Sequence, residues 1–520
     1  MNHLSFMSSS KQKEIVALIF CLLVGFALRF YTFDKKSLWM DEIYTYNDSR
    51  DDLRGQIKFY QENPTYLHPP LFFVLTHFFY PFTKPERDLR IIPLIFGTFS
   101  IPMIYFLAKL FSPATALPCA LSLAFMTYHI SLSQDGRAYA PLMFLGMAAL
   151  YFFMKHLQTS KKAYLLPSAL FFAALVYTSY SSILFIFFCQ ILWFHQIGGD
   201  KRFDLSSFLI LNGLILLFCL PWLLFVGLNY KGQLLMDPFQ KKVAISFWEI
   251  VYGVLHDWVP HVPLIAISVI LLILFPVLSK SRKNALILLG LFILPIGGLY
   301  LYCKLFNITH FITSRYFISF LPLFFITLYT SIDAIQDRFE GLRRFMRLRF
   351  LFVILFIASN VVILPLYYRA EKEDFRGLAN YLKTNLREGD KLFDFSMGYM
   401  PGILFYFGAP PEGRHYTIPF WKTSTGEVEF RKSFIYQNRT YTIYHSSTCC
   451  SRYFVEGSRL WLIGGSRTLN RIKGNSPFIL KGYFDGSFLN FNKFPTDAPI
   501  YLFLWDPKSP GEREIDMPIE

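Results

Sequence analysis

Eleven apolar stretches, near residues 14–33, 91–110, 114–131, 137–155, 163–180, 182–196, 205–226, 261–279, 285–303, 316–332 and 349–367, restrict the fold of this chain more than any other feature. Each approaches the length needed to cross a bilayer. Hydrocarbon offers no water to backbone amides, so such stretches must close their hydrogen bonds internally, as α-helices. The chain has 520 residues, of which 53% are hydrophobic and 17% charged, and its 59 Phe and 31 Tyr fit a surface that meets lipid and headgroups. The first stretch is not followed by a small-residue cleavage site and reads as a retained span rather than a signal peptide. A further stretch, Pro70 to Phe82, has only 13 residues, which suits an interfacial or re-entrant helix.

The formal charge of +15 would fit a nucleic-acid binder. The basic residues, however, collect between apolar segments as the positive-inside rule requires, so no nucleic-acid partner is expected. With Pro70–Phe82 left outside and the N-terminus cytoplasmic, the cytoplasmic loops carry Lys109, then Lys155, Lys161 and Lys162, then Lys201 and Arg202. The later ones carry Lys280, Arg282 and Lys283, then Arg338, Arg343, Arg344, Arg347 and Arg349. Counting Pro70–Phe82 as a span would invert every later loop. We therefore expect a multi-span α-helical membrane protein with 11 spans, in a cell membrane (the inner one in a Gram-negative cell). Residues 1–367 would form the membrane domain, with a first outer loop at 34–90, and residues 368–520 a small extracytoplasmic α/β domain. Helical spacing at Glu371–Leu386 and strand-like runs at Lys391–Phe395, Arg459–Ile463, Phe478–Phe484 and Ile500–Trp505 support that domain.

This topology brings the chemically distinctive residues to one face. Asp41 and Glu42 follow the first span. Being adjacent they point apart, which suits one base and one orienting carboxylate rather than an acid/base pair. His68 precedes Pro69-Pro70, whose fixed backbone presents a single side chain rigidly. Arg137 and Tyr139 open the fourth span with Asp135 just upstream, and Arg315-Tyr316 repeat the pattern near Lys304 and His310. A guanidinium at the end of a helix donates two parallel hydrogen bonds to a phosphate. Five of the seven Cys lie in apolar segments as small hydrophobes, and the adjacent Cys449-Cys450 have poor spacing for a disulfide or a zinc site. The sequence holds no phosphate loop, dinucleotide fingerprint or metal-ligating His pair. Phosphate recognition outside the cytoplasm, without a nucleotide loop, fits a phospholipid-like donor that delivers an activated group.

The order of spans, together with Trp39-x-Asp41-Glu42, His68-Pro69-Pro70-Leu71, Ser133-x-x-x-Arg137-x-Tyr139 and Arg315-Tyr316, resembles the dolichyl-phosphate-mannose-protein mannosyltransferase-related membrane enzymes. These are GT-C glycosyltransferases, a superfamily that includes the bacterial aminoarabinose transferases of lipid A. The resemblance covers roughly residues 14–367, with a looser match near Asp374–Leu382. It implies inverting transfer of a sugar from a polyprenyl-phosphate donor and carries the family's proposed base onto Asp41. His68 follows the mannosyltransferases, where aminoarabinose transferases have Lys. One departure is Ser179 within Thr178-Ser179-Tyr180, where many relatives have His.

On this reading Asp41 deprotonates the acceptor and Glu42 orients it or the acceptor. His68, Arg137, Tyr139, Lys304 and Arg315 bind the donor phosphate, with Asp135 and Tyr316 in support. Stabilising the phosphate's charge matters more than protonating it. No metal ligands are assigned and metal dependence is left open. The partners are a polyprenyl-phosphate sugar, membrane lipids, and a lipid, glycan or protein acceptor. A lipid-linked-sugar flippase would need charges at mid-depth and internal repeats. A polysaccharide polymerase or ligase would carry its large outer loop between late spans, whereas here the acidic pair sits in the first.

Overall fold

The computed structural model describes residues 9–62, 68–194, 203–230, 246–305, 312–339, 348–394, 399–409, 421–422, 428–446, 459–465, 478–486, 489 and 499–508. After α1 (Ser9–Phe30) come three short helices, α2 (Met40–Asp48), α3 (Leu53–Glu62) and α4 (Leu71–His77), and one turn, α5 (Pro85–Asp88). The apolar body begins with α6 (Ile91–Phe111), α7 (Ala116–Phe125), α8 (Thr127–Ser133), α9 (Tyr139–Thr159), α10 (Leu165–Val176) and α11 (Ser182–Cys189). It continues with α12 (Leu205–Asn229), α13 (Phe247–Trp258), α14 (Val262–Leu278), α15 (Arg282–Leu305), α16 (Leu321–Arg338) and α17 (Leu348–Arg369).

Each of the eleven apolar stretches of sequence overlaps one or more of these helices, but they do not form eleven uninterrupted spans. Among the described residues six helical segments are long and apolar enough to cross a bilayer, or up to eight if each bent pair is one span. The bent pairs are α7–α8, at 63°, and α13–α14, at 110°. The apolar segments Lys162–Val176 and Ser182–Phe194 are shorter. Within Pro70–Phe82 the helix α4 has seven residues, a rise of about 10 Å, far short of a crossing.

A broken helix inside a membrane needs partners for the groups it frees. At the α7–α8 break, Thr127 N–H donates to Asn360 Oδ1 at 2.8 Å. The carbonyls of Leu123 and Ala124 accept from the buried Arg29 guanidinium at 2.8 and 3.0 Å. Arg29 thus supplies a cation to a helix C-terminus, and α1 is fixed against the kink.

The C-terminal part contains α18 (Phe375–Asn385), α19 (Met400–Tyr406) and seven strands. These are β1 (Lys391–Asp394), β2 (Trp421–Lys422), β3 (Val428–Tyr436), β4 (Arg439–Ser446), β5 (Leu460–Gly464), β6 (Ile479–Phe484) and β7 (Ile500–Trp505). They form one sheet in the order β2-β3-β4-β1-β5-β7-β6. β1 runs parallel to β4 and β5, and the other pairs are antiparallel. The β3–β4 hairpin was not expected from sequence. Its turn residues Gln437 and Asn438 both take positive φ, 49° and 60°, which matches the strand twist but is a weaker signal than Asn-Gly.

One hydrophobic core joins the α1–α6 connection to this sheet. Leu38, Ile43, Phe82 and Leu89 pack with Phe375, Leu378, Leu382, Ile403, Trp461 and Leu502. Cys21, Cys119, Cys189 and Cys219 are buried free thiols, as their apolar surroundings led us to expect. Cys449 and Cys450 lie outside the described residues.

Candidate active site

The turn Ser37–Trp39, which leads into α2, has no regular structure of its own, so its polar backbone groups must find other partners. Arg90, just before α6, takes the carbonyls: Nη1 donates to Phe33 O and Lys36 O at 3.1 and 3.0 Å, and Nη2 to Ser37 O at 3.0 Å. The N–H groups go to side chains. Ser37 N–H donates to Glu371 at 2.8 Å, Leu38 N–H to the Tyr406 hydroxyl at 2.7 Å and Met40 N–H to Glu373 at 2.9 Å. Trp39 N–H donates back to Glu42 at 3.3 Å, as an acidic residue in the first helical turn does in a capping box.

The two neighbouring carboxylates are thereby separated in role. Glu42 is fully buried. Arg90 Nε and Nη2 each reach one of its oxygens at 2.7 Å, and Gly136 N–H donates to Oε1 at 2.6 Å. A Cβ on Gly136 would lie 3.2 Å from that oxygen and 3.1 Å from Leu89 Cβ, so the position suits glycine. With its oxygens so occupied, Glu42 can orient Asp41 only through the backbone of α2. Asp41 keeps 27% of its side chain exposed, with Oδ2 3.7 Å from Arg137 Nε. Arg137 Nη1 also donates to Thr45 Oγ1 at 3.2 Å and Asp41 O at 3.3 Å.

The stretch 133–139 grips this turn from the bundle. Gln134 Nε2 donates to Arg29 O and Tyr31 O at 2.8 and 2.6 Å, and its Oε1 accepts from Tyr367. Asp135 accepts from the Trp39 indole and pairs with Lys372, both at 2.8 Å. The Trp39 ring lies 4.0 Å from Lys372 Nζ and 5.2 Å from the Arg315 guanidinium, which is also 5.8 Å from the Tyr139 ring. Arg315 and Tyr316 sit on a 3₁₀ turn, Ser314–Phe320, and Asp41, Arg137 and Arg315 act electrostatically on both Tyr139 and Tyr316. A cavity beside Trp39 is lined by Lys36, Arg90, Arg315, Lys372, Asp135 and Glu371, among others.

His68 is half-buried at the start of α4, whose Leu71 N–H donates to Tyr177 O at 2.9 Å. Burial, with the Arg137 cation adding to it and Asp41 opposing, pushes its pKa down to about 4. It is therefore neutral at pH 7 in the free protein, where it can meet a phosphate as a hydrogen-bond donor.

Asp41, His68, Asp135, Arg137, Tyr139, Arg315 and Tyr316 thus gather around α2 and Trp39. Lys304 does not share a contact with them. It is exposed near the end of α15, with its ammonium 5.6 Å from the Tyr300 ring of its own helix. His310 lies outside the described residues. The sequence reading missed Arg90, Glu371, Lys372 and Glu373. Arg90 carried the same signal as Arg137 and Arg315, an Arg just before a span. Among the described residues no three His, Cys, Asp or Glu side chains gather closely enough to hold a metal ion.

Residues 67–225 match the family model of dolichyl-phosphate-mannose-protein mannosyltransferase. Two solved structures of ArnT from Cupriavidus metallidurans share the fold. The apo form has 11% identity and a TM-score of 0.52, and the form bound to undecaprenyl phosphate 12% and 0.54. Each alignment covers 95% of this chain and 98% of the other. No curated protein sequence matches. The chain has the apolar helices of a multi-pass membrane protein and the fold of the ArnT structures, and its residues 67–225 carry the mannosyltransferase-family sequence pattern.

Proposed function

We propose that the protein is an inverting glycosyltransferase that moves a sugar from a polyprenyl-phosphate donor to an extracytoplasmic lipid, glycan or protein. The observation that carries this reading is the accessible Asp41 carboxylate held 3.7 Å from Arg137 and within electrostatic reach of His68, with Arg315 acting on the same two tyrosines, Tyr139 and Tyr316. One carboxylate adjoining phosphate-type donors is the minimum such a reaction needs. The acceptor hydroxyl or amine gives its proton to Asp41 as its oxygen or nitrogen bonds to the anomeric carbon. The bond from that carbon to the phosphate oxygen breaks, and its electron pair leaves on the polyprenyl phosphate. Arg137 and Arg315 offset the developing charge, and Tyr139, Tyr316 and His68 donate hydrogen bonds. The family pattern over 67–225 and the fold shared with a protein solved with undecaprenyl phosphate support this donor class.

The same reading takes residues 1–367 as the catalytic membrane domain and 368–520 as the extracytoplasmic domain. It counts the broken and short helices as crossings, which gives 11 spans with the N-terminus inside. Mass spectrometry of envelope lipids, glycans and proteins tests the function. One glycosylated species should vanish without the protein, return with the parent chain, and fail to return with Asp41→Asn. Identical profiles in all three would overturn it.

A further inference from the structure

The helix that carries Asp41 is held at its N-terminus from a point far along the chain. Met40, the first residue of α2, donates its N–H to Glu373 Oε2 at 2.9 Å across 333 positions. Glu373 is itself buried, at 1% exposure. Glu371 takes Ser37 N–H, Lys372 stands over the Trp39 ring, and Tyr406 takes Leu38 N–H. Three successive residues between α17 and α18, plus one from α19, therefore fix the approach to Asp41. Intrahelical bonding satisfies none of the first N–H groups of a helix, so a carboxylate there both fills a vacancy and meets the positive end of the helix dipole.

We infer that Glu373 is a positioning residue for Asp41, and that the start of the C-terminal domain completes the active site by fixing α2 rather than by touching substrate. Asp41 is the second residue of α2, one position beyond the N–H that Glu373 holds. A release of that N–H frees the first turn to fray, and Asp41 frays with it. Displacement of a catalytic group by about 1 Å costs roughly a hundredfold in rate. The clamp also explains why Leu38 and Ile43 sit in the same core as Phe375 and Leu378. The domains cannot part without moving the base. The inference rests on the reading of Asp41 as the base for its catalytic consequence, but not for its structural one.

Hydrogen exchange on the full-length protein in lipid nanodiscs tests the structural part. Glu373→Ala should raise exchange of the amides of residues 37–42 about tenfold or more and leave α6 and α9 unchanged. Protection unchanged at 37–42 would overturn the inference. Turnover, read as the product species identified by mass spectrometry at equal protein level, should fall about 10- to 100-fold. Binding of undecaprenyl phosphate should stay at the parent level, and Glu373→Gln, which keeps an acceptor oxygen, should recover most of the activity. In a double-mutant cycle Glu373→Ala should add no further loss on an Asp41→Asn background, because both act through one group. Losses that multiply, or an Ala variant as active as the parent, would overturn it. Should Glu373→Ala not fold, Glu373→Asp, which withdraws the carboxylate by one methylene, is read by the same measurements. Full activity in Asp41→Asn would instead remove the base assignment and leave the exchange result standing.

Discussion

The Glu42 carboxylate and the Arg90 guanidinium meet through two 2.7 Å hydrogen bonds, with side-chain exposures of 0% and 1%. Taking both charges out of water is costly, and parallel bonds with further partners on each group offset that cost. Removing one partner leaves the other charged and buried, a loss of about 3–5 kcal/mol. Arg90→Ala and Glu42→Gln should therefore lower the melting temperature sharply and reduce yield. Thermal unfolding of the purified variants checks this. A Glu42→Gln protein as stable as the parent and catalytically dead would return Glu42 to the chemistry.

Asp41 differs from its neighbour in being accessible and only loosely paired. Asp41→Asn keeps volume and removes the proton acceptor, so turnover should drop by roughly two to four orders of magnitude. Stability and polyprenyl-phosphate affinity should hardly move. Single-turnover transfer and a separate binding assay distinguish the two effects.

Arg137→Lys and Arg315→Lys keep charge and lose the planar fork that contacts Asp41 and Thr45 in one case and stacks on Trp39 and Tyr139 in the other. Donor affinity should fall about tenfold for each, near 1.4 kcal/mol. Titration with undecaprenyl phosphate measures it. Parent-like affinity in both would locate the phosphate elsewhere. Lys304→Ala should leave affinity unchanged, since Lys304 is exposed at the far end of its own helix.

The imidazole of His68 has a folded pKa of about 4 against an ordinary value of 6.5. The unfolded chain then binds the proton first as pH falls, so the contribution of His68 to stability is present above pH 6.5 and is lost towards pH 4. His68→Gln should flatten the fall in stability across that window, read by unfolding at several pH values. It should also cost less donor affinity than either arginine variant, because a neutral ring supplies no charge.

Reporters fused after Asp337 and after Glu371 should read on opposite sides of the membrane, cytoplasmic and extracytoplasmic. Both on one side would overturn the 11-span topology and relocate the C-terminal domain.

By itself the sequence determined the class of fold. Long apolar runs in lipid close their hydrogen bonds as helices, and the Lys and Arg between them supply the orientation that the reporter fusions test. It also marked Asp41, Arg137 and Arg315, because charge at the end of a span is conspicuous against so apolar a chain. The C-terminal helix was legible from Phe375, Leu378 and Leu382, whose period is local. Tertiary structure alone decided what each charge does. Asp41 and Glu42 are adjacent, and nothing local distinguishes them. Arg90, 48 positions on from Glu42, buries one in an ion pair and leaves the other partly exposed. Glu371, Lys372 and Glu373 read as the first turn of a helix over Glu371–Leu386, whereas α18 begins only at Phe375, because their partners lie more than 300 residues earlier or deep in the bundle. Helix breaks were hidden for the same reason. The apolar run through Met126 continues unchanged, and the partners that make a bend tolerable, Arg29 and Asn360, come from other helices.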